Sequence, residues 1–236
     1  MLSKIASAKK YGRTYCSSRP SNTLVHIFLD PLDEAALLHH FVGMSRVSNR
    51  DRILEAGLQV VHEHGYANAS VRDIVAAAGV PQGSFTNHFA SKEAFGLEII
   101  DHYLAATRDV LEKTLLDETR QPLQRLEACI DTGRDLLNAD CMRRGCMLGN
   151  FTAEASAESE QMRNKLLSVF DEIEAAYAHC LRAAVQAGEV PADLDVKETA
   201  ALIVQSLQGA NLLAKAHRDP TPVDRFKKTL FEKILK

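Results

Sequence analysis

Glycine and proline are sparse in this chain, 12 and 7 of 236 residues, so few positions interrupt a helix. No run of about 18 apolar residues occurs, which leaves no candidate for a membrane-spanning helix. Excess positive charge is missing as well: the formal net charge is -3, whereas a basic domain is the usual footprint of a nucleic-acid binder. Neither a nucleophile elbow nor a phosphate loop is present. The five cysteines are odd in number, irregularly spaced and unaccompanied by a recognisable secretory signal, which points to reduced thiols and a cytoplasmic protein. Convincing strand alternation is absent too. What remains is an ordinary soluble composition, 46% hydrophobic and 25% charged, at a length that suits one small module joined to a larger one.

The stretch 1–43 lacks the helical period of the rest of the chain. It holds Pro20 and Pro31 and carries Lys4, Lys9, Lys10, Arg13 and Arg19 with no acid before Asp30, a superficial likeness to a transit peptide. It reads better as an N-terminal extension, disordered or upstream of a true start at Met44. From Ser48 the pattern changes. Ser48 with Asp51 forms a capping signal, and Ile53, Leu54, Gly57, Leu58 and Val61 share one helical face. Ser70 with Asp73 repeats the signal for a short helix that stops at Gly79, expected to be a left-handed C-cap. Val80 to Gly83 is a turn. A third short helix turns Phe85 and Phe89 inward, and Ser91 caps a long fourth helix expected to reach about Leu116.

Two short helices joined by a tight turn, the second anchored by two Phe with polar residues outward, fit a recognition helix into a DNA major groove. The run from Val71 through Phe89, followed by Ser91-Lys92-Glu93-Ala94, resembles the tetracycline-repressor (TetR) family. The resemblance departs at Val75, where members usually have Ala, and at Thr86, where they usually have a phosphate-contacting Tyr. It implies an all-α fold of about nine helices. A helix-turn-helix domain (44–92) would precede a larger effector-binding and dimerisation domain (93–236). The implied function is a ligand-responsive repressor, not an enzyme, that binds double-stranded operator DNA. Arg72 would read a guanine edge and Gln82 a second base, with Gly83 and Ser84 on the same surface. Thr86, Asn87, His88 and Lys92 would meet the DNA backbone, Ser70 would cap close to phosphate, and Arg46 and Arg50 would form a basic arm.

Beyond Pro122 the helical period continues. Leu123, Leu126, Ile130, Gly133 and Leu137 share one face, and Gly145 to Ala155 forms a short element. Leu166, Val169, Phe170, Ile173, Tyr177, Cys180, Leu181 and Ala184 mark a well-patterned helix ending at Gly188 and Pro191. Two further helices complete the pattern, one on Ala200, Ile203, Leu207, Ala210 and Ala214 and one on Val223, Phe226, Leu230 and Ile234. The resemblance implies a homodimer through these last two, with recognition helices about 34–36 Å apart. The segment Cys141 to Phe151 stands out. Its Met142, Met147 and Phe151 offer adaptable apolar walls and its Asn150 a polar anchor, with Phe170 and Tyr177 nearby as effector contacts. Cys146 is a candidate for covalent modification, activated by Arg143 and Arg144, or simply a small buried hydrophobe. Cys141, Cys146, His179 and Cys180 lack zinc-module spacing, so neither metal nor cofactor is expected. A Cys146 nucleophile served by His179 or His102 is the enzymatic alternative, and a helical scaffold that binds no DNA is the other.

Overall fold

The computed structural model describes residues 48–155, 157 and 159–236; the expected extension 1–43, and Arg46, lie outside them. Among the described residues there are nine α-helices and no strand. Helices α1 (Asn49–His64), α2 (Val71–Ala78) and α3 (Gly83–His88) precede a long α4 (Lys92–Lys113). Helices α5 (Pro122–Asn138), α6 (Met147–Ala155), α7 (Glu160–Gln186), α8 (Val196–His217) and α9 (Thr221–Thr229) complete the order. The last runs on into a π-helical turn, Leu230–Ile234.

Caps fix the register of α1, α2 and α4. Ser48 Oγ accepts from Asp51 N, and Ser70 and Asp73 form a reciprocal capping box, Asp73 N to Ser70 Oγ at 3.1 Å and Ser70 N to Asp73 Oδ2 at 3.2 Å. Gly79 ends α2 at φ 62°, ψ 38°, the left-handed region a glycine enters without strain. Ser91 Oγ then caps α4 through Ala94 N. That helix stops at Lys113, one turn short of expectation, because Thr114 leaves helical geometry at φ -126°, ψ -82°.

The rings of Phe85, Phe89 and Phe95 meet with centroids 5.2–5.3 Å apart and fasten α3 to α4. Helix α1 crosses this cluster at Gly57, where a Cβ would stand 2.3 Å from Phe95 Cζ. Behind them α7 packs against α4, α5 and α8, and α4 also meets α5. The apolar faces expected for these helices are those buried: Leu126 and Ile130 on α5, Leu166 and Val169 on α7, Ala200 and Ile203 on α8. Glu189, just past α7, accepts from Leu123 N at 2.9 Å and so satisfies a first-turn amide of α5.

Candidate DNA-reading surface and effector cavity

Helices α2 and α3 present one exposed surface. Arg72 is exposed at the second position of α2, and Gln82, Gly83, Thr86, Asn87 and His88 are exposed around α3, with Ser84 half-buried beside them. Burial of Phe85 and Phe89 sets this orientation, leaving the intervening positions of a six-residue helix facing outward. Gln82 occupies the N-cap of α3 but does not cap it with its side chain. Thr86 turns its hydroxyl back to Gly83 O at 3.1 Å.

Three basic side chains near this surface make contacts within the domain. Arg50 pairs with Glu98 of α4 and lies 5.7 Å from the Phe89 ring centroid. Arg52 donates to Gly79 O at 3.3 Å, at the end of α2. Lys92 donates to Ala67 O at 3.2 Å with its ammonium 4.7 Å from the Tyr66 ring centroid, and partial burial lowers its pKa. All three bridge separate segments of the domain. Arg72, by contrast, is exposed.

A second feature lies behind the first domain. A cavity of about 410 Å³ opens between α1, α4, α5, α7, α8 and the loop from Ala139 to Cys146. Leu58, Val110, Ile130, Leu137, Ile173 and Leu207 supply much of its apolar wall. Of the residues expected to meet an effector, Cys146 and Tyr177 line it. Met142, Met147, Asn150, Phe151 and Phe170 do not. Met142, Met147 and Phe151 are only 1% exposed and belong to the core. Phe151 stacks on Tyr66 with centroids 5.1 Å apart, at the joint between α6 and the first domain. Asn150 is held by Arg144 O at 2.9 Å and Lys215 Nζ at 3.2 Å, while Phe170 is half-buried on α7.

Four wall residues come from α1: Glu55, Leu58, Gln59 and His62. Sequence reasoning assigns this helix wholly to DNA binding and misses them, although Leu58 falls on its inward face. His62 Nε2 donates to Gly145 O at 2.8 Å, since a carbonyl can only accept. Burial lowers the His62 pKa to about 4, with the Gly145 bond opposing and the Arg144 charge reinforcing. Arg144 bonds Asp140 through Nε at 2.6 Å and Gln59 Oε1 through Nη1 at 3.0 Å. Its charge is therefore paired with Asp140, while Arg143 is exposed. Cys146 is a half-buried free thiol. It shares a hydrogen bond with the Tyr103 hydroxyl, which burial pushes well above the ordinary tyrosine range.

Among the described residues no cluster of three or more His, Cys, Asp or Glu suits a metal ion, and no helix is long and apolar enough to cross a membrane. Two family descriptions match the chain: "Bacterial regulatory proteins, tetR family" over 53–99 and "Tetracyclin repressor-like, C-terminal domain" over 122–230. The HTH-type transcriptional repressor DhaR of Mycobacterium sp. (strain GP1) is 35% identical over 192 residues, 81% of this chain and 95% of that protein. The chain belongs to the TetR family. The transcriptional regulator AcuR of Cereibacter sphaeroides is 33% identical over 75% of this chain and 81% of its own length. The crystal structure of a regulatory protein TetR from Rhodobacter sphaeroides superposes with TM-score 0.74 at 32% identity, covering 78% of this chain and 97% of that one. Escherichia coli NemR in its reduced form gives 0.67 at 25% identity, covering 75% and 93%. The protein is thus a DNA-binding transcription regulator with the all-α architecture the motif implied.

Proposed function

We propose that this TetR-family protein represses by gripping a pseudo-palindromic operator as a homodimer and lets go when a small molecule fills the cavity behind α1. One observation carries the reading: α1 belongs to both the DNA-reading domain and the cavity wall. It packs on α2 and α3, so a ligand that moves α1 moves the recognition helix. The energy for release is the ligand's preference for the displaced arrangement.

On DNA, Arg72 forks onto a guanine and Gln82 reads an adjacent base, while Gly83, Ser84, Thr86, Asn87 and His88 settle against the backbone. Ser70 holds the start of α2, and Arg50 and Lys92 stiffen the domain through Glu98, Phe89, Tyr66 and Ala67. The second copy meets the outer face of α8, where Leu202, Leu212 and Leu213 are 43%, 67% and 54% exposed. Gly209 lies between them, and a Cβ there would touch nothing within 4 Å. That stripe suits close helix-on-helix packing. The exposed positions of α9 are polar, among them Asp224, Arg225 and Lys228, so α9 flanks the contact while α8 forms its centre.

Gel shift against the DNA upstream of its own gene tests the core of this. A specific complex that survives excess competitor DNA and weakens steeply with salt is expected. Loss of all binding to competitor at moderate salt would remove the operator reading. Cys146 supports a second mode of release, since a free, half-buried thiol on the cavity wall is placed to meet an electrophile that enters it. Cys146→Ser should then abolish release by an alkylating agent such as N-ethylmaleimide while leaving operator affinity unchanged.

A further inference from the structure

The cavity wall carries its charge in pairs. Arg134 is bonded to Asp131, Asp135 and Asp224 at 3.0, 2.8 and 2.9 Å. Arg144 is bonded to Asp140 at 2.6 Å, with both side chains about one-fifth exposed. His62, nearly enclosed, is neutral near pH 7 because burial holds its pKa at about 4. Besides the tyrosine hydroxyls and cysteine thiols, the remaining ionisable side chains of the lining, Glu55 and His102, are exposed. An ionised ligand buried away from those exposed groups would therefore enter apolar surroundings with no unpaired counter-charge, which is unfavourable. Hydrogen-bonding groups, by contrast, gather at one wall. Gln59, His62 and Arg144 stand where α1 meets the 139–146 loop, and the Arg144–Gln59 and His62–Gly145 bonds join the two parts there. A guanidinium has five N–H groups, and Asp140 and Gln59 engage Nε and Nη1, so donors remain for an acceptor on a ligand.

The floor supplies an independent sign that space itself is built in. Gly133 sits in the middle of α5 with helical backbone, and a Cβ there would meet nothing within 4 Å. Neither a turn nor a close approach requires glycine at that point, and glycine is a poor helix former. What Gly133 provides is volume in the cavity it lines. At about 410 Å³ the space falls in the range, roughly 300–1,000 Å³, that encloses small ligands.

We propose that the cavity takes an uncharged, largely apolar molecule with one hydrogen-bond-accepting end, and that this end sits between Gln59, His62 and Arg144, at the seam between the DNA-reading domain and the helical core. This rests on the reading of the cavity as the effector site. Bound there, the acceptor takes donors of the same Arg144 guanidinium that holds Gln59, so ligand chemistry and α1 position are linked through one side chain.

Calorimetric titration of the full chain with three probes of matched shape tests it: naphthalene-2-methanol, 2-naphthoate and 2-naphthylmethylammonium. The neutral alcohol should bind at least roughly tenfold more tightly than either ion, the burden of burying an unpaired charge falling on the ions alone. Gly133→Leu should abolish that binding without lowering Tm, because its side chain fills open space. Equal or tighter binding of either ion, no binding of any probe, or undiminished binding of the alcohol by Gly133→Leu would overturn the assignment. The comparison of probes on the wild-type chain stands whether or not the variant folds. Operator binding is measured in parallel without probe, so a chain that grips its operator yet fails the probe comparison refutes this inference and leaves the regulator reading intact.

Discussion

His62 shows how one residue ties stability to both halves of the protein. Its pKa falls from 6.5 to about 4 on folding, so between those values the unfolded chain binds a proton that the folded chain excludes. Stability then rises with pH and is lost as pH falls through that window, by roughly 3 kcal/mol in full. His62→Gln keeps an N–H for Gly145 O but cannot titrate there. Urea unfolding should show a shallower loss from pH 6.5 to 4 for the variant than for wild type; identical slopes would mean that His62 is accessible to protons in the folded chain. On the DNA side, Arg72→Ala should weaken binding by about 1–3 kcal/mol at one base position per half-site. A base-substitution series reads this directly, and equal losses at every position would make Arg72 a phosphate contact. The outward residues of α3 were legible because Phe85 and Phe89 fix which way a short helix faces. The partners of Arg50 and Lys92 were not, since Glu98 and Tyr66 lie 48 and 26 positions away in sequence and only the fold brings them together.

At the scale of the helix, caps and period decide what a sequence can reveal. Ser70 with Asp73, Gly79 and Ser91 mark their helix ends in the sequence itself, because each satisfies an orphan backbone group locally. The loop joining α5 to α6 gives no such signal. It passes through left-handed geometry at Cys141, Met142 and Gly145, with φ of 59°, 57° and 65°, and two of these are not glycine. That path turns Met142 into the core and brings Arg144 and Gly145 against α1, so of the 141–151 stretch expected to form an effector wall only Arg144, Gly145, Cys146 and Leu148 line the cavity. Gly57 offers a test of how tightly the first domain is joined to α4. Its substitution by Ala would press a Cβ onto Phe95 and onto Ile74 Cγ2, 3.2 Å away, where neighbouring rings leave no room. Gly57→Ala should destabilise by about 1–3 kcal/mol in urea unfolding. An unchanged midpoint would show that α1 and α4 shift apart freely.

For the whole molecule, the succession of helices was readable from the order and length of the periodic segments. Their coupling was not. A boundary drawn at the end of the helix-turn-helix hides the fact that α1 serves both parts, with His62 and Gln59 bonded into the loop before α6 and Ala67 N donating to Glu154 at 3.0 Å. Assembly is expected on the outer face of α8. Gly209→Glu should leave the subunit folded, since open space surrounds the site, yet convert the dimer to a monomer in sedimentation and with it weaken operator binding. A dimer of unchanged strength would place the interface elsewhere. The central claim, two copies of the α2–α3 surface reading one operator about a two-fold axis, is tested most directly by hydroxyl-radical footprinting on the DNA upstream of the gene. The account predicts two protected segments related by a dyad, on one face of the duplex and about 10 base pairs apart centre to centre. Protection of a single segment, or of none above the level given by unrelated DNA, would contradict it.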